Sequence, residues 1–420
     1  MDTIIDMRDT SIPEGVTRIV EQLPKPANLG EKETTIILKF PGTYVYQTGL
    51  VLMATWRKTL PNHIKVVIDD TQCQVATKRL LANSGFRELI EENAESPSKI
   101  HYLSGKIPLQ PILRGYSTQR AISNIVETFN TYAKEWIEMR AFGVLLSELC
   151  ENAFVHSNFE TTGYIAANLH ESTGKCEIAI ADSGIGILNS YLEGTNNEAK
   201  QRIQGGACAI ELAVDGLSSS KPTPMPGTFP SYYGLGLFIV RRLIEENLGR
   251  LMILSGNNWV NFEKPQKTRG SISTSWMGTF VGILINIENP LPLEAIYAEG
   301  SNLLGVSNEF EPYNQPPTKQ QKVDLAQYGS RLLTREIGSA IRADIATILA
   351  GGTKVEVDLS GIEDLTPSVA DEVFGKLAES LGKERFDQVI IFVGGSPLLP
   401  RLIDFVINTR LSRPREIECA

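Results

Sequence analysis

Apolar and polar positions along the chain fall into three blocks. In the first, Thr34 to Phe40 (TTIILKF) and Ile64 to Asp69 read as strands, while Gly49 to Thr59 and Cys73 to Ser84 read as helices, the latter closed by Gly85. The polar run EENAESPS between Glu91 and Ser98 suits an exposed connection. The second block opens with a helical pattern from Ser123 to Val155, where Phe142, Leu145, Leu146, Leu149 and Ala153 share one face. Strands are expected at Tyr164 to Leu169 and Cys176 to Ala181, followed by a Gly/Ser/Pro-rich insertion from Leu188 to Tyr233. A helix from Leu237 to Asn247, stopped at Gly249, precedes strands at Arg250 to Ser255 and Thr279 to Ile285. Two proline-bearing polar stretches, NPLPLEA and NEFEPYNQPPTKQQK, then separate off a third block. It reads as a helix around Leu332 to Leu349, a strand at Lys354 to Leu359, a helix from Ser368 to Leu381, a strand at Gln388 to Val393 and a helix from Leu398 to Asn408.

The length of 420 residues exceeds one ordinary core and agrees with that division. The boundaries are an α/β unit over 1–100, a central domain over 101–290, a linker over 291–325 and a second small α/β unit over 326–420. A formal charge of −9 without a basic block gives no reason to expect nucleic acid or an anionic membrane as a partner. The first residues lack a basic and apolar leader, and no apolar run is long enough to span a bilayer, so the expected location is the cytoplasm. The five cysteines are widely spaced without a C-x-x-C pair, which suggests neither a disulfide framework nor a zinc site.

Candidate chemistry is concentrated in the central block. Glu148, Asn152 and His156 recur every four residues and so share a helix face beside the apolar one. An amide oxygen at Asn152 is a suitable hard ligand for Mg²⁺, and a carboxylate one turn earlier can hold or deprotonate an attacking water or hydroxyl. His156, at the helix end, can serve phosphate or the last carbonyls. The run Ile178 to Gly186 (IAIADSGIG) is a buried-looking strand ending in Asp-x-Gly-x-Gly. There Asp182 can accept from an adenine amino group, and Gly184 and Gly186 permit close backbone approach. Tyr233-Gly234-Leu235-Gly236-Leu237 opens a helix, whose N–H groups can face phosphates, and Gly278-Thr279 precedes the last strand.

In this order and spacing the four clusters resemble the N, G1, G2 and GT boxes of the GHKL (Bergerat-fold) superfamily of ATPases and kinases. The resemblance implies an α+β sandwich that binds ATP with Mg²⁺ through residues 101–290. Asn152 would hold the metal, Glu148 would be the general base, and Asp182 would select adenine. Gly184, Gly186, Gly234 and Gly236 would shape the pocket, Thr279 would add a hydroxyl near the base, and residues 188–233 would form the ATP lid.

The run Val355 to Ser368 (VEVDLSGIEDLTPS) resembles the strand-loop-helix core of STAS-like domains, with Ser368 where anti-sigma-factor antagonists carry a phosphorylated serine. Thr366, Pro367 and Val369 depart from that loop's pattern. Phe40 to Leu50 resembles the same loop, with Thr48 at the acceptor place, which makes both flanks STAS-like α/β domains. Ser368 and Thr48 can equally be helix caps. None of the four histidines sits in the pattern of a histidine-kinase acceptor. The leading expectation is a regulatory Mg-dependent ATPase switch whose lid closure controls a protein partner or self-association into a homo-oligomer through the STAS-like domains. The alternatives are a serine/threonine kinase of the anti-sigma-factor type and a scaffold that binds nucleotide without turnover.

Overall fold

The computed structural model describes residues 3–24, 29, 34–41, 45–97, 106–113, 139–155, 161–194, 196–215, 236–293, 295–296, 320–350 and 353–411. The first unit runs β1 (Thr3–Asp6), α1 (Glu14–Gln22), β2 (Thr35–Lys39), α2 (Gln47–Arg57), β3 (Lys65–Asp69), α3 (Val75–Asn83) and α4 (Phe86–Glu91). Its strands form a parallel sheet in the order β1-β2-β3. The sequence pattern found β2, α2, β3 and α3 but passed over α1, α4 and β1, and in β1 Ile5 alone is buried, so no alternation can register.

The central domain comprises β4 (Lys106–Leu113), α5 (Met139–Val155), β5 (Thr161–His170), β6 (Lys175–Asp182), α6 (Gly186–Glu193), α7 (Asn197–Gln204), α8 (Ala209–Val214), α9 (Gly236–Glu246), β7 (Arg250–Glu263) and β8 (Gln266–Asn286). All neighbouring strands are antiparallel, in the order β4-β5-β6-β8-β7. Three short helices therefore stand where the sequence suggested an irregular insertion. Of these, α7 is capped by Asn196, whose side chain accepts from the Ala199 N–H. β7 and β8 extend well beyond the expected spans because cross-strand pairing carries the hairpin through its polar outer residues.

Both faces of this sheet are covered, and β6 shows why. Ile178 and Ile180 point into the apolar cluster shared with α5 and α9, while Ala179 and Ala181 point the other way, towards the first unit. Those small side chains, with Ala166 on β5, let α2 lie close against the sheet. A buried carboxylate fixes the docking: Glu177 of β6 accepts from the Thr48 N–H at the start of α2, at 2.9 Å. The Thr48 hydroxyl, itself buried, donates to Thr10 O at 2.6 Å.

The third unit runs β9 (Gln320–Asp324), β10 (Arg331–Leu332), α10 (Arg335–Ala350), β11 (Lys354–Asp358), β12 (Asp364–Leu365) and α11 (Pro367–Ala370). A wide turn at Asp371–Gly375 leads into α12 (Lys376–Leu381), α13 (Lys383–Val389), β13 (Ile390–Val393) and α14 (Leu398–Leu411). β9, β11 and β13 form a parallel sheet in chain order, the arrangement also seen in the first unit. Because β9 pairs with β11, the third unit begins at Gln320, inside the stretch expected to be linker. That strand, QQKVD, buries only Val323 and so resembles the polar chain before it. Leu291, Leu293 and Ile296, also expected to be linker, are buried in the core. The apolar cluster on the helical face of the central sheet continues without a break into the third unit. Among the described residues no helix is long and apolar enough to cross a membrane.

Removing the Glu177 acceptor leaves a buried helix-start N–H unpaired, so Glu177→Ala should lower unfolding stability by about 1–3 kcal/mol. Glu177→Gln, which keeps an acceptor, should cost less than half as much; denaturant titration of both checks this.

Candidate functional site

Helix α5 is buried from Ala141 to Cys150, including two polar residues, Ser147 and Glu148. Phe142, Leu145, Leu146 and Leu149 are buried as the spacing requires. Gly236, the first residue of α9, meets α5 at the polar stripe. A Cβ there would run into Glu148 Oε2 and lie 3.5 Å from Asn152 Nδ2. The Asn152 amide nitrogen is buried without a hydrogen-bond partner, which leaves an amide group available to a ligand. Glu148, Asn152 and Gly236, expected to act together, are brought together. His156 and Gly234 lie outside the described residues, as do residues 195 and 216–233 of the expected lid.

A second cluster forms where β6 ends. Asp182 is 6 % exposed, and its carboxylate accepts the N–H of Gly184 at 2.8 Å and that of Thr279. Burial nevertheless dominates and pushes its pKa up to about 7. Gly278 has φ +95°, and a Cβ on it would strike the Asp182 backbone oxygen. Gly186, at φ +74°, would place a Cβ 2.8 Å from Ser255 Oγ and 3.0 Å from Gly278 O. Both glycines are required by the closeness of β6, β8 and the start of α6. Ser255 holds this junction: its hydroxyl donates to Gly278 O at 2.9 Å and accepts the Ile187 N–H at 2.8 Å. Sequence reasoning passed over Ser255, since a lone serine within a strand carries no signal before its partners are known. The two clusters adjoin through Ile187 and Leu237, neighbours in sequence of Gly186 and Gly236, which pack against one apolar group that includes Tyr191 and Leu212.

The third unit reaches the first cluster. Thr366 caps α11 by accepting the Val369 N–H at 3.2 Å, with Pro367 as the first helical residue. Ser368 is thereby freed from capping, and its hydroxyl donates to Glu148 Oε1 at 3.3 Å. The preceding residue of α5, Ser147, donates its hydroxyl to the carbonyl of Leu333. Thr48, the other candidate acceptor, is buried against the opposite side of the sheet, with its hydroxyl engaged by Thr10.

Residues 338–398 match the family model of a STAS-like domain of unknown function (DUF4325). The third unit contains a STAS-like domain. No curated protein matches the chain. The match covers α10, β11, α11 and most of the remaining helical layer, so the helix carrying Ser368 belongs to the STAS-like domain. Within it, Asp371 is fully buried and held by Arg410 through two 2.8 Å hydrogen bonds, which anchors the turn after α11 to α14.

The raised Asp182 pKa has a stability consequence. A carboxyl that binds its proton more tightly when folded favours the fold at low pH and loses that benefit as pH rises from 3.8 to about 7. Relative to Asp182→Asn, the wild-type chain should lose stability across that window, on the order of 1.4 kcal/mol per unit of pKa separation. Thermal melts of the pair at several pH values read this difference. Gly278→Ala should destabilise by about 1–3 kcal/mol through backbone strain and the contact with Asp182, measured by the same melts.

Proposed function

We propose that this protein is a Mg·ATP-dependent switch whose central domain is of the GHKL (Bergerat-fold) type. The observation that carries the reading is Asp182, a buried carboxylate at a strand end between the Gly184 and Thr279 N–H groups and flanked by two glycines whose Cβ positions are occupied. Such an acceptor suits an adenine amino group, and an ionised acceptor suits it better than a protonated one. The antiparallel sheet with α5 and α9 on one face agrees with the fold, and the fit to a metal and phosphates rests on the unpartnered Asn152 amide beside Gly236. Amide oxygen and nitrogen are interchanged by a half-turn, so Asn152 can present its oxygen to Mg²⁺. Bound Mg²⁺ would neutralise charge on the phosphate oxygens.

In this reading Glu148 orients or deprotonates the attacking oxygen, and Asn152 and the start of α9 position the phosphates. The STAS-like domain, packed on α5, is the element whose docking the nucleotide state controls. A protein partner or a second copy of the chain would receive the signal through that domain. A second reading, a serine/threonine kinase of the anti-sigma-factor type, is favoured by the placement of the Ser368 hydroxyl 3.3 Å from Glu148.

Titration calorimetry with Mg·ATP should show binding by the wild-type chain and by Glu148→Ala, with Asp182→Asn weakened by about tenfold or more. Wild-type affinity should also increase as pH passes upward through about 7, the value at which Asp182 ionises, and Asp182→Asn should lack that slope. Release of phosphate from γ-labelled ATP should vanish in Glu148→Ala. Wild-type affinity in Asp182→Asn would remove Asp182 from the nucleotide site.

A further inference from the structure

Two glycines beside the candidate adenine site make room for the same side chain. Gly186 has φ +74°, and the place a Cβ would take on it lies 2.8 Å from Ser255 Oγ. Gly278, at φ +95°, turns its carbonyl to that hydroxyl, which donates to it at 2.9 Å. The hydroxyl also accepts the Ile187 N–H at 2.8 Å. Helix α6 has no capping side chain at Ile185, so its start is tied instead to a residue 68 positions along the chain. Ser255 is 4 % exposed, and a serine hydroxyl has one proton to donate, so this donor is committed to Gly278.

The two segments that Ser255 joins are the two that hold Asp182. Gly184, which donates to the Asp182 carboxylate at 2.8 Å, lies three residues before Ile187, and the other donor, Thr279, directly follows Gly278. Three causes act on the acidity of Asp182: burial, which weakens it, and these two N–H groups, which strengthen it; no charged side chain is among them. The packed sheet fixes the burial. The placement of the two donors is what remains for a side chain to control.

We infer that Ser255 is a positioning residue of the nucleotide site: its hydroxyl clamps the two backbone segments whose N–H groups grip the Asp182 carboxylate, and so sets how readily that carboxylate is presented to a ligand. The ligand, an adenine nucleotide, rests on the proposed function; the clamp on Asp182 does not. Without the hydroxyl, the start of α6 and the Gly278–Thr279 link lose their common partner and the hydrogen bonds to Asp182 lengthen. A carboxylate that loses N–H donors while staying buried holds its proton to higher pH. In that form it accepts less well from an amino group than the carboxylate does.

Two titrations of full-length chains test the clamp. The first needs no ligand: denaturant stability is followed from about pH 5 to about pH 9 for the wild type and Ser255→Ala, each against its own Asp182→Asn partner. In the wild type the loss of stability due to Asp182 should level off as pH passes about 7. In Ser255→Ala it should continue for about one pH unit more. The second is calorimetry with Mg·ATP. Ser255→Ala should bind about tenfold more weakly at about pH 6 and match the wild type by about pH 9, since one pKa unit is a factor of ten in the ionised fraction. Ser255→Cys keeps the volume with a poorer hydrogen-bonding group; it should move both readings the same way and replaces Ser255→Ala if that chain does not fold. An unmoved levelling-off in the Ser255 variants would overturn the clamp. So would an ATP deficit of equal size at every pH, the mark of a serine that only supports the fold. Absence of ATP binding by the wild type would instead strike the nucleotide reading, and the ligand-free titration would then decide by itself whether Ser255 governs Asp182.

Discussion

The constraint on which the structure depends is the burial of the central sheet on both faces. In β6, isoleucines alternate with alanines, so one face offers bulk to α5 and α9 while the other offers a shallow surface on which α2 can lie. A larger residue at Ala179 or Ala181 would push the first unit away, and overpacked interfaces of this kind cost stability. The same strand supplies the docking carboxylate Glu177 from within its span and, at its end, the candidate ligand-binding carboxylate Asp182. Sheet, first unit and site are thus fixed by one eight-residue strand.

Helix α5 has the corresponding role on the opposite face. Its apolar side closes the core of the central domain, and that core runs on into the STAS-like domain. Its two buried polar residues, Ser147 and Glu148, each make a hydrogen bond to the third unit. A helix buried on nearly every side has few degrees of freedom, so any movement of α9 or of the STAS-like domain must be felt at Glu148. This gives a physical route by which a ligand between α5, α9 and β6 would alter docking of the third unit, and the reverse.

Much of this was readable because the relevant signals are local. The apolar face of α5, the alternation of β6, the Asp-Ser-Gly-Ile-Gly turn and the glycine at the start of α9 each appear within a few residues of one another, and the structure brings Glu148, Asn152 and Gly236 into one place. Several of the elements that were missed had weak local signals. β1 and β9 bury one residue each, and the long β7–β8 hairpin is held by pairing rather than by an apolar run. Three helices within the expected insertion were hidden by its glycine and polar content.

By itself the sequence determined the division into three blocks, though not their exact bounds, the buried strand and helix of the central block, and which side chains are candidates for chemistry, since these follow from periodicity and side-chain type. What only the tertiary structure decided is which hydroxyl meets which carboxylate. Ser368 and Glu148 lie 220 positions apart, and both cap and free hydroxyl were open to Ser368 until Thr366 was seen to take the Val369 N–H. Likewise, Thr48 and Ser368 looked alike in sequence, yet one hydroxyl is bound within its own unit and the other reaches the central helix. Contacts of that range depend on how separately folded units pack, and no local pattern encodes them.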